Sequence, residues 1–296
     1  MLLKRIIPKI EFKGHNLIKG LEFEGNRSLG TVCDFTQTYL EEKTADEIFF
    51  YDIVASLYNR EFSFDTILNI DKNFNIPATF CGGINSIKGI EKCLLSGADK
   101  VSINTYLTKN REFLKKAINI FGSPTLISNV EYYIDDHKIY LMSEFGRSPI
   151  DQNIFEWVDY LQDNGVGELH FLDVKNDGHG SGINIDFINK ITKILKIPFV
   201  VGCGYGSKEH VLNVFKETDA SGVSISSLFH YYYQKKLNKP FASSNSNKLR
   251  LGKDIDSGNI EFLNYGYGGL NDIFVDATSI KNLKTFLRDN KIPVRI

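Results

Sequence analysis

Cysteine is scarce and scattered. The four residues Cys33, Cys81, Cys93 and Cys203 show no C-x-x-C spacing, which argues against a zinc ribbon or a dithiol redox motif. The six histidines are equally dispersed, so no metal site and no cofactor is expected. The opening MLLKRIIPKIEFKG is too short and too charged for a signal peptide. No apolar run of about 18 residues follows it, so no membrane helix is expected. An excess of one charge is missing as well: 35 basic residues face 36 acidic ones. That balance gives no broad field for nucleic acid or an anionic membrane, and an anionic ligand must be held by local groups. These absences point to a reduced, cytoplasmic protein. What is present is ordinary globular usage, 42% hydrophobic and 24% charged over 296 residues, enough for a sizeable core in one domain spanning 1–296.

Short apolar runs rich in Ile, Val and Phe recur at 5–12, 48–53, 77–81, 100–104, 125–131, 168–174, 198–203 and 222–226. Between them lie longer mixed stretches with helical spacing, so the pattern predicts parallel βαβ units. The chain also repeats itself. DEIFFYDI at 46–53 matches GELHFLDV at 167–174, and IPATFCGGI at 76–84 matches IPFVVGCGY at 197–205. Glu47/Glu168, Asp52/Asp173, Pro77/Pro198, Gly83/Gly204 and Thr105/Ser226 share an offset of 121, and Glu11/Glu131 are 120 apart. Four strands twice make eight, the signature of a (β/α)8 TIM barrel built from two half-barrel repeats. Residues 234–274, rich in Asn, Ser and Gly, form a long insertion in the eighth βα loop before a final helix at about 279–290.

Glycines directly after a strand let backbone N–H groups approach an anion, and the following helix adds its positive N-terminal end. Gly82 and Gly83 after the third strand and Gly204 after the seventh fit that description, as tight turns or as phosphate loops. Asn104, Thr105, Ser226 and Ser227, at the ends of the fourth and eighth strands, add donors. Their symmetric recurrence favours two phosphate sites across the barrel mouth. Glu11 and Glu131 end the first and fifth strands, where facing carboxylates suit general acid and base roles; solvated loop carboxylates are the plainer alternative. At the other end, Arg5, Glu47, Lys100 and Glu168 can close a charged ring, which read by itself is a salt-bridge belt under the barrel.

Together these features resemble the cyclase subunit of imidazole glycerol phosphate synthase, over nearly the whole chain except 234–274. The resemblance is carried by MLLKRIIP, LIKG with Lys19, DEIFFYDI, GADKVSINT, FGS at 121–123, NDGHGSG at 176–182 and SSLFH at 226–230. It implies a lyase of histidine biosynthesis, acting within a glutamine amidotransferase complex. A glutaminase subunit would dock at the barrel bottom as a heterodimer. Ammonia would pass a gate formed by Arg5, Glu47, Lys100 and Glu168, and an imidazole ring would close at the mouth from a bisphosphorylated ribonucleotide. The family's substrate positions fall on Lys19, Asp52, Asp177 and Gly178, and its acid and base positions on Glu11 and Glu131.

Two departures qualify that expectation. The family carries aspartate at both acid and base positions, whereas glutamate is one methylene longer, and a displacement of about 1 Å can cost roughly a hundredfold in rate. Strand alternation also puts Lys9 on the face of Glu11, and Asn129 on the face of Glu131, so that Lys9 could pair with either glutamate and hold it ionised. With the long eighth loop, these features resemble paralogues in surface-polysaccharide pathways that supply ammonia to a sugar amidotransferase. A phosphosugar isomerase of related barrel type is a third expectation, disfavoured by the bottom ring.

Overall fold

The computed structural model describes residues 2–68, 70, 76–136, 138–237 and 275–296, without the side chain of Lys235. The insertion expected at 234–274 lies outside the described residues apart from its first four, which finish a helix, Ser227–Leu237.

Among the described residues, twelve strands run in chain order as β1 (Arg5–Lys13), β2 (Asn16–Leu21), β3 (Glu24–Thr31), β4 (Ile48–Asp52), β5 (Ala78–Cys81) and β6 (Lys100–Ile103), followed by β7 (Leu126–Asp135), β8 (Lys138–Ser143), β9 (Ser148–Ile150), β10 (Glu168–Asp173), β11 (Phe199–Gly202) and β12 (Gly222–Ile225). Eight of them pair in parallel in the order β1-β4-β5-β6-β7-β10-β11-β12, and β12 pairs back onto β1, so the sheet closes into a barrel. The eight barrel strands are the eight apolar runs of the sequence. Each is buried on both faces, which is why Ile, Val and Phe run on without simple alternation.

Helices cover the outside and begin on side-chain caps. Ser86, Asn153, Asn184, Ser207 and Ser279 each accept a backbone N–H of the first turn. The last helix, Ile280–Asp289, falls where the sequence places it. The main core lies between barrel and helices and includes Phe50, Phe80, Val101, Leu169, Val201 and Val223.

Four strands stand outside the barrel count, in two antiparallel hairpins that sequence reading took for mixed connecting stretches. β2 and β3 extend β1, and β8 and β9 extend β7, so each half-barrel carries its hairpin after its own first strand. The turns lack an Asn-Gly signature: Glu22 and Phe23, and Glu144 and Phe145, adopt positive φ without being glycine. The two turn phenylalanines meet over the barrel mouth, stacked with ring centroids 4.1 Å apart. A second apolar cluster containing Phe23, Tyr51, Phe145, Leu172 and Val174 therefore caps the barrel.

Candidate active site at the barrel mouth

The strand order decides what faces what. β1 and β7 lie four strands apart around the ring, so Glu11 and Glu131 stand on opposite sides of the mouth. The β5/β6 ends with Gly82, Gly83, Asn104 and Thr105 likewise oppose the β11/β12 ends with Gly204, Ser226 and Ser227.

Glu11 is 2% exposed and sits among charges. Lys9 Nζ lies 2.8 Å from Oε1, off the direction of an aligned hydrogen bond, and Lys19 Nζ donates to Oε2 at 3.2 Å. The Lys19 ammonium also donates to both oxygens of Asp177 at 2.8 Å. Two buried cations and two buried anions thus form a neutral quartet at the end of β1. Burial alone would raise the Glu11 carboxyl, but Lys19 and Lys9 override it and bring the pKa down to about 2. Burial alone would lower both lysines, and the surrounding acidic groups instead hold them above the ordinary ammonium value. Of the two glutamates that Lys9 could reach, the fold pairs it with Glu11.

Glu131 is equally buried, but among the described residues no cation forms an ion pair with it. Its Oε1 accepts from the Tyr51 hydroxyl at 2.9 Å, and its Oε2 from the Gly146 N–H at 2.8 Å. Burial raises its pKa, opposed by the hydrogen bonds from Gly146, Tyr51 and Asn104. Next to it, Ser102, Asn104, Asn129 and Tyr51 help line a cavity of about 30 Å³. Among the described residues, Asn104 Oδ1 is buried there without a hydrogen-bond partner.

The glycine turns are tight. Gly82, Gly83 and Gly204 have positive φ, and a Cβ on Gly204 would lie 2.3 Å from the Gly182 carbonyl oxygen. Gly83 N–H already donates to Ser56 Oγ. Thr105 Oγ1 accepts from Glu144 N, Ser226 Oγ donates to the Lys9 carbonyl, and Asn104 Nδ2 donates to the Met142 carbonyl. In this arrangement those side chains hold loops, while the helix starts at Thr105, Ser227 and beyond Ser86 and Ser207 still turn their positive ends to the mouth. Asp52 is bound in two-point fashion by Arg60 and also accepts from Ser63 N, fixing the loop after β4. Its repeat partner Asp173 does the same for the loop after β10, accepting from Asn176 and Asn184. Asp177 and Gly178 seat that loop against the β2–β3 hairpin, where Glu22 N donates to the Asp177 carbonyl.

At the opposite end the four charged residues do close a ring. Arg5 bonds to Glu47 at 2.9 Å and to Glu168, and Lys100 reaches Glu47 at 3.1 Å and Glu168 at 3.3 Å. Both carboxylates are nearly buried while Arg5 and Lys100 remain about a quarter exposed, so the ring faces the barrel bottom. Above it, Ile7, Phe49, Ile127 and Val200 form an apolar layer across the barrel.

Sequence reading passed over Tyr51, His170, Phe23 and Phe145. The first two were within reach: Tyr51 and His170 share strand faces with the ring residues Glu47 and Glu168, spaced by the two-residue period. The phenylalanines gave no such signal, because their meeting depends on two turns distant in the chain.

The histidine biosynthesis protein family model matches residues 5–235. The Staphylococcus saprophyticus imidazole glycerol phosphate synthase subunit HisF is 33% identical over 234 residues, which cover 78% of this chain and 92% of that protein. The subunit of the same name from Lactococcus lactis is 34% identical, covering 78% and 90%. That of a Hydrogenobaculum species is also 34% identical, covering 81% and 94%. With a closed eightfold barrel, a family match over most of its length and relatives of this identity and coverage, the chain belongs to the histidine biosynthesis protein family and is of the HisF type.

Proposed function

We propose that the chain is the ammonia-dependent lyase-cyclase subunit of an imidazole glycerol phosphate synthase, with Glu131 as the proton donor and Glu11 as the proton acceptor. The observation that carries this reading is the divergence of two equally buried carboxylates on opposite sides of one mouth. Glu11 is held ionised at about 2, while burial favours the protonated form of Glu131. A pair of carboxyls pushed apart in this way can remove a proton at one point of a substrate and deliver one at another. A bisphosphorylated ribonucleotide is the substrate class that two opposed sets of helix N-termini would suit. The Phe23–Phe145 stack closes over that space, so binding requires the two hairpins to part.

The bottom ring supports the partner assigned by this reading. Leu2, Leu3 and Ile296 are exposed beside the lower end of β1, as are Leu95 and Ile120 near helix C-termini, which in a barrel of this kind lie on the bottom face. An apolar rim around a charged ring suits a docked glutaminase whose released ammonia enters through Arg5, Glu47, Lys100 and Glu168.

A second reading has one observation in its favour. Lys9 and Lys19 commit both Glu11 oxygens to ion pairs. Such a carboxylate serves an ammonia conduit, passing nitrogen to a sugar amidotransferase, without having to act on a nucleotide. Single-turnover assay of the purified chain with the bisphosphorylated ribonucleotide and excess ammonium chloride separates the two. Cyclised product that disappears in Glu11→Gln and Glu131→Gln supports the cyclase, and absence of product from a parent chain that measurably binds a glutaminase supports the conduit.

A further inference from the structure

Above the apolar layer, the barrel interior carries a chain of hydrogen bonds that crosses four strands. Ser224 Oγ on β12 lies 2.7 Å from His170 Nε2 on β10, and His170 Nδ1 lies 3.0 Å from Asn129 Oδ1 on β7. Asn129 Nδ2 donates to the Tyr51 hydroxyl on β4 at 3.0 Å, and that hydroxyl donates to Glu131 Oε1 at 2.9 Å. All five residues are at most 4% exposed.

With the Asn129 amide oxygen facing His170, the bonding capacities set a direction. An amide oxygen only accepts, so a neutral His170 carries its hydrogen on Nδ1 and accepts at Nε2 from the Ser224 hydroxyl. Every donor then points from β12 towards Glu131. Exchanging the two ends of the Asn129 amide would reverse every bond and turn the phenol hydrogen away from the carboxylate. The interior is shaped around this path: a Cβ on Gly202 would lie 2.3 Å from Ser224 Oγ and 3.0 Å from His170 Nε2. The Phe49 ring meets the imidazole edge-on at 5.0 Å and helps fix its plane.

We propose that Ser224, His170, Asn129 and Tyr51 form a one-way hydrogen-bond relay that aims the Tyr51 hydroxyl at Glu131, making His170 a positioning residue for the Glu131 proton. The proposal rests on the reading of Glu131 as a proton-transferring group. Each donor in the series polarises the next, so the far end of the relay reaches the carboxylate without touching it. The other groups facing Glu131 are Lys9 of β1, Asn104 beyond β6 and the Gly146 N–H. Those facing His170 are Lys9, Arg5 and Glu11, all from β1. The Cys81 thiol of β5, against Ser102 and Asn129, is pushed up to about 12 by burial and stays neutral. Burial, then Lys9 and Arg5, keep the imidazole neutral, as the relay requires.

Two measurements on the intact protein without substrate test this. Nitrogen-15 NMR of His170 should show a neutral ring protonated at Nδ1; an Nε2-protonated ring or an imidazolium at neutral pH overturns the relay. Carbon-13 NMR of the glutamate carboxyls then follows Glu131 in the parent and four variants. Its midpoint should rise in Tyr51→Phe and, by less, in His170→Leu. His170→Asn, whose amide N–H stands near the place of Nδ1–H, should return it towards the parent value, whereas His170→Gln should not. Equal midpoints in all variants, or equal behaviour of the Asn and Gln variants, overturn the proposal. Should the Leu variant not fold, the tautomer of the unaltered protein still decides. Neither readout involves cyclisation, so a chain that makes no product leaves the relay testable. If the chain does cyclise, Tyr51→Phe should lower kcat roughly tenfold with KM little changed.

Discussion

Glu11 and Glu131 occupy the same place in the two half-barrels and are equally buried, yet their surroundings have opposite electrical character. Two residues before Glu11 stands Lys9, and two residues before Glu131 stands Asn129. That single exchange, reinforced by Lys19 from the β2 strand, makes one side of the mouth ionic and the other a set of neutral hydrogen bonds. Duplication supplies symmetric positions for two carboxylates. Their protonation is then decided by the nearest partners, because in a low-dielectric interior one cation at contact outweighs several neutral dipoles.

The comparison breaks most visibly in turnover. If the cyclase reading holds, Glu11→Gln and Glu131→Gln should each reduce single-turnover cyclisation by ~10²–10⁴, the range for loss of a positioned acid or base. Stability comes next. Lys19→Met leaves Asp177 buried without its cation and Glu11 with only Lys9, and should cost about 3–5 kcal/mol in chemical denaturation. A loss below about 1 kcal/mol would mean that the quartet is far more hydrated than its geometry indicates.

The pH dependence separates the two sides by sign. Glu11 titrates near 2 in the folded chain against an ordinary value of 4.5, so the unfolded chain takes up its proton first. Its contribution is complete above 4.5 and is lost as pH falls from there to about 2, on the order of 3 kcal/mol. Glu131 is raised, so its contribution runs the other way: it is complete below the ordinary carboxyl value and is lost as pH rises from there through the raised value of the folded chain. Denaturation curves of Glu11→Gln and Glu131→Gln between pH 2 and 7 should diverge accordingly. The smallest effect follows from the same sign: at neutral pH Glu131→Gln should be neutral or stabilising by up to ~1 kcal/mol, since it removes a desolvated carboxyl but keeps a hydrogen-bond acceptor. A strongly destabilised Glu131→Gln would show the neutral side to depend on the charge after all.

Much of the scaffold was legible before any coordinates. The eight apolar runs are the eight barrel strands, the offset of 121 maps one half-barrel onto the other, and the four charges below the barrel do meet in a ring. The mouth was harder. Lys19 and Asp177, 158 residues apart, share an ion pair that no spacing announces. Nor does any spacing announce that Arg60 and Ser63 engage Asp52 and shape the loop after β4. The hairpins hid because their turns place Glu, Phe and Glu-Phe-Gly where turn chemistry normally shows Asn-Gly.

The chain by itself determined its strands, their duplication and the residue types available at each end of the barrel, because burial on both faces and a two-residue period are local properties. Only the closed barrel decided which glutamate meets a lysine, where Phe23 finds Phe145, and which residues the hydrogen bonds through His170 join. Those outcomes depend on contacts between strands far apart in sequence, where a few tenths of an ångström separate an ion pair, a shared proton and an unpaired group.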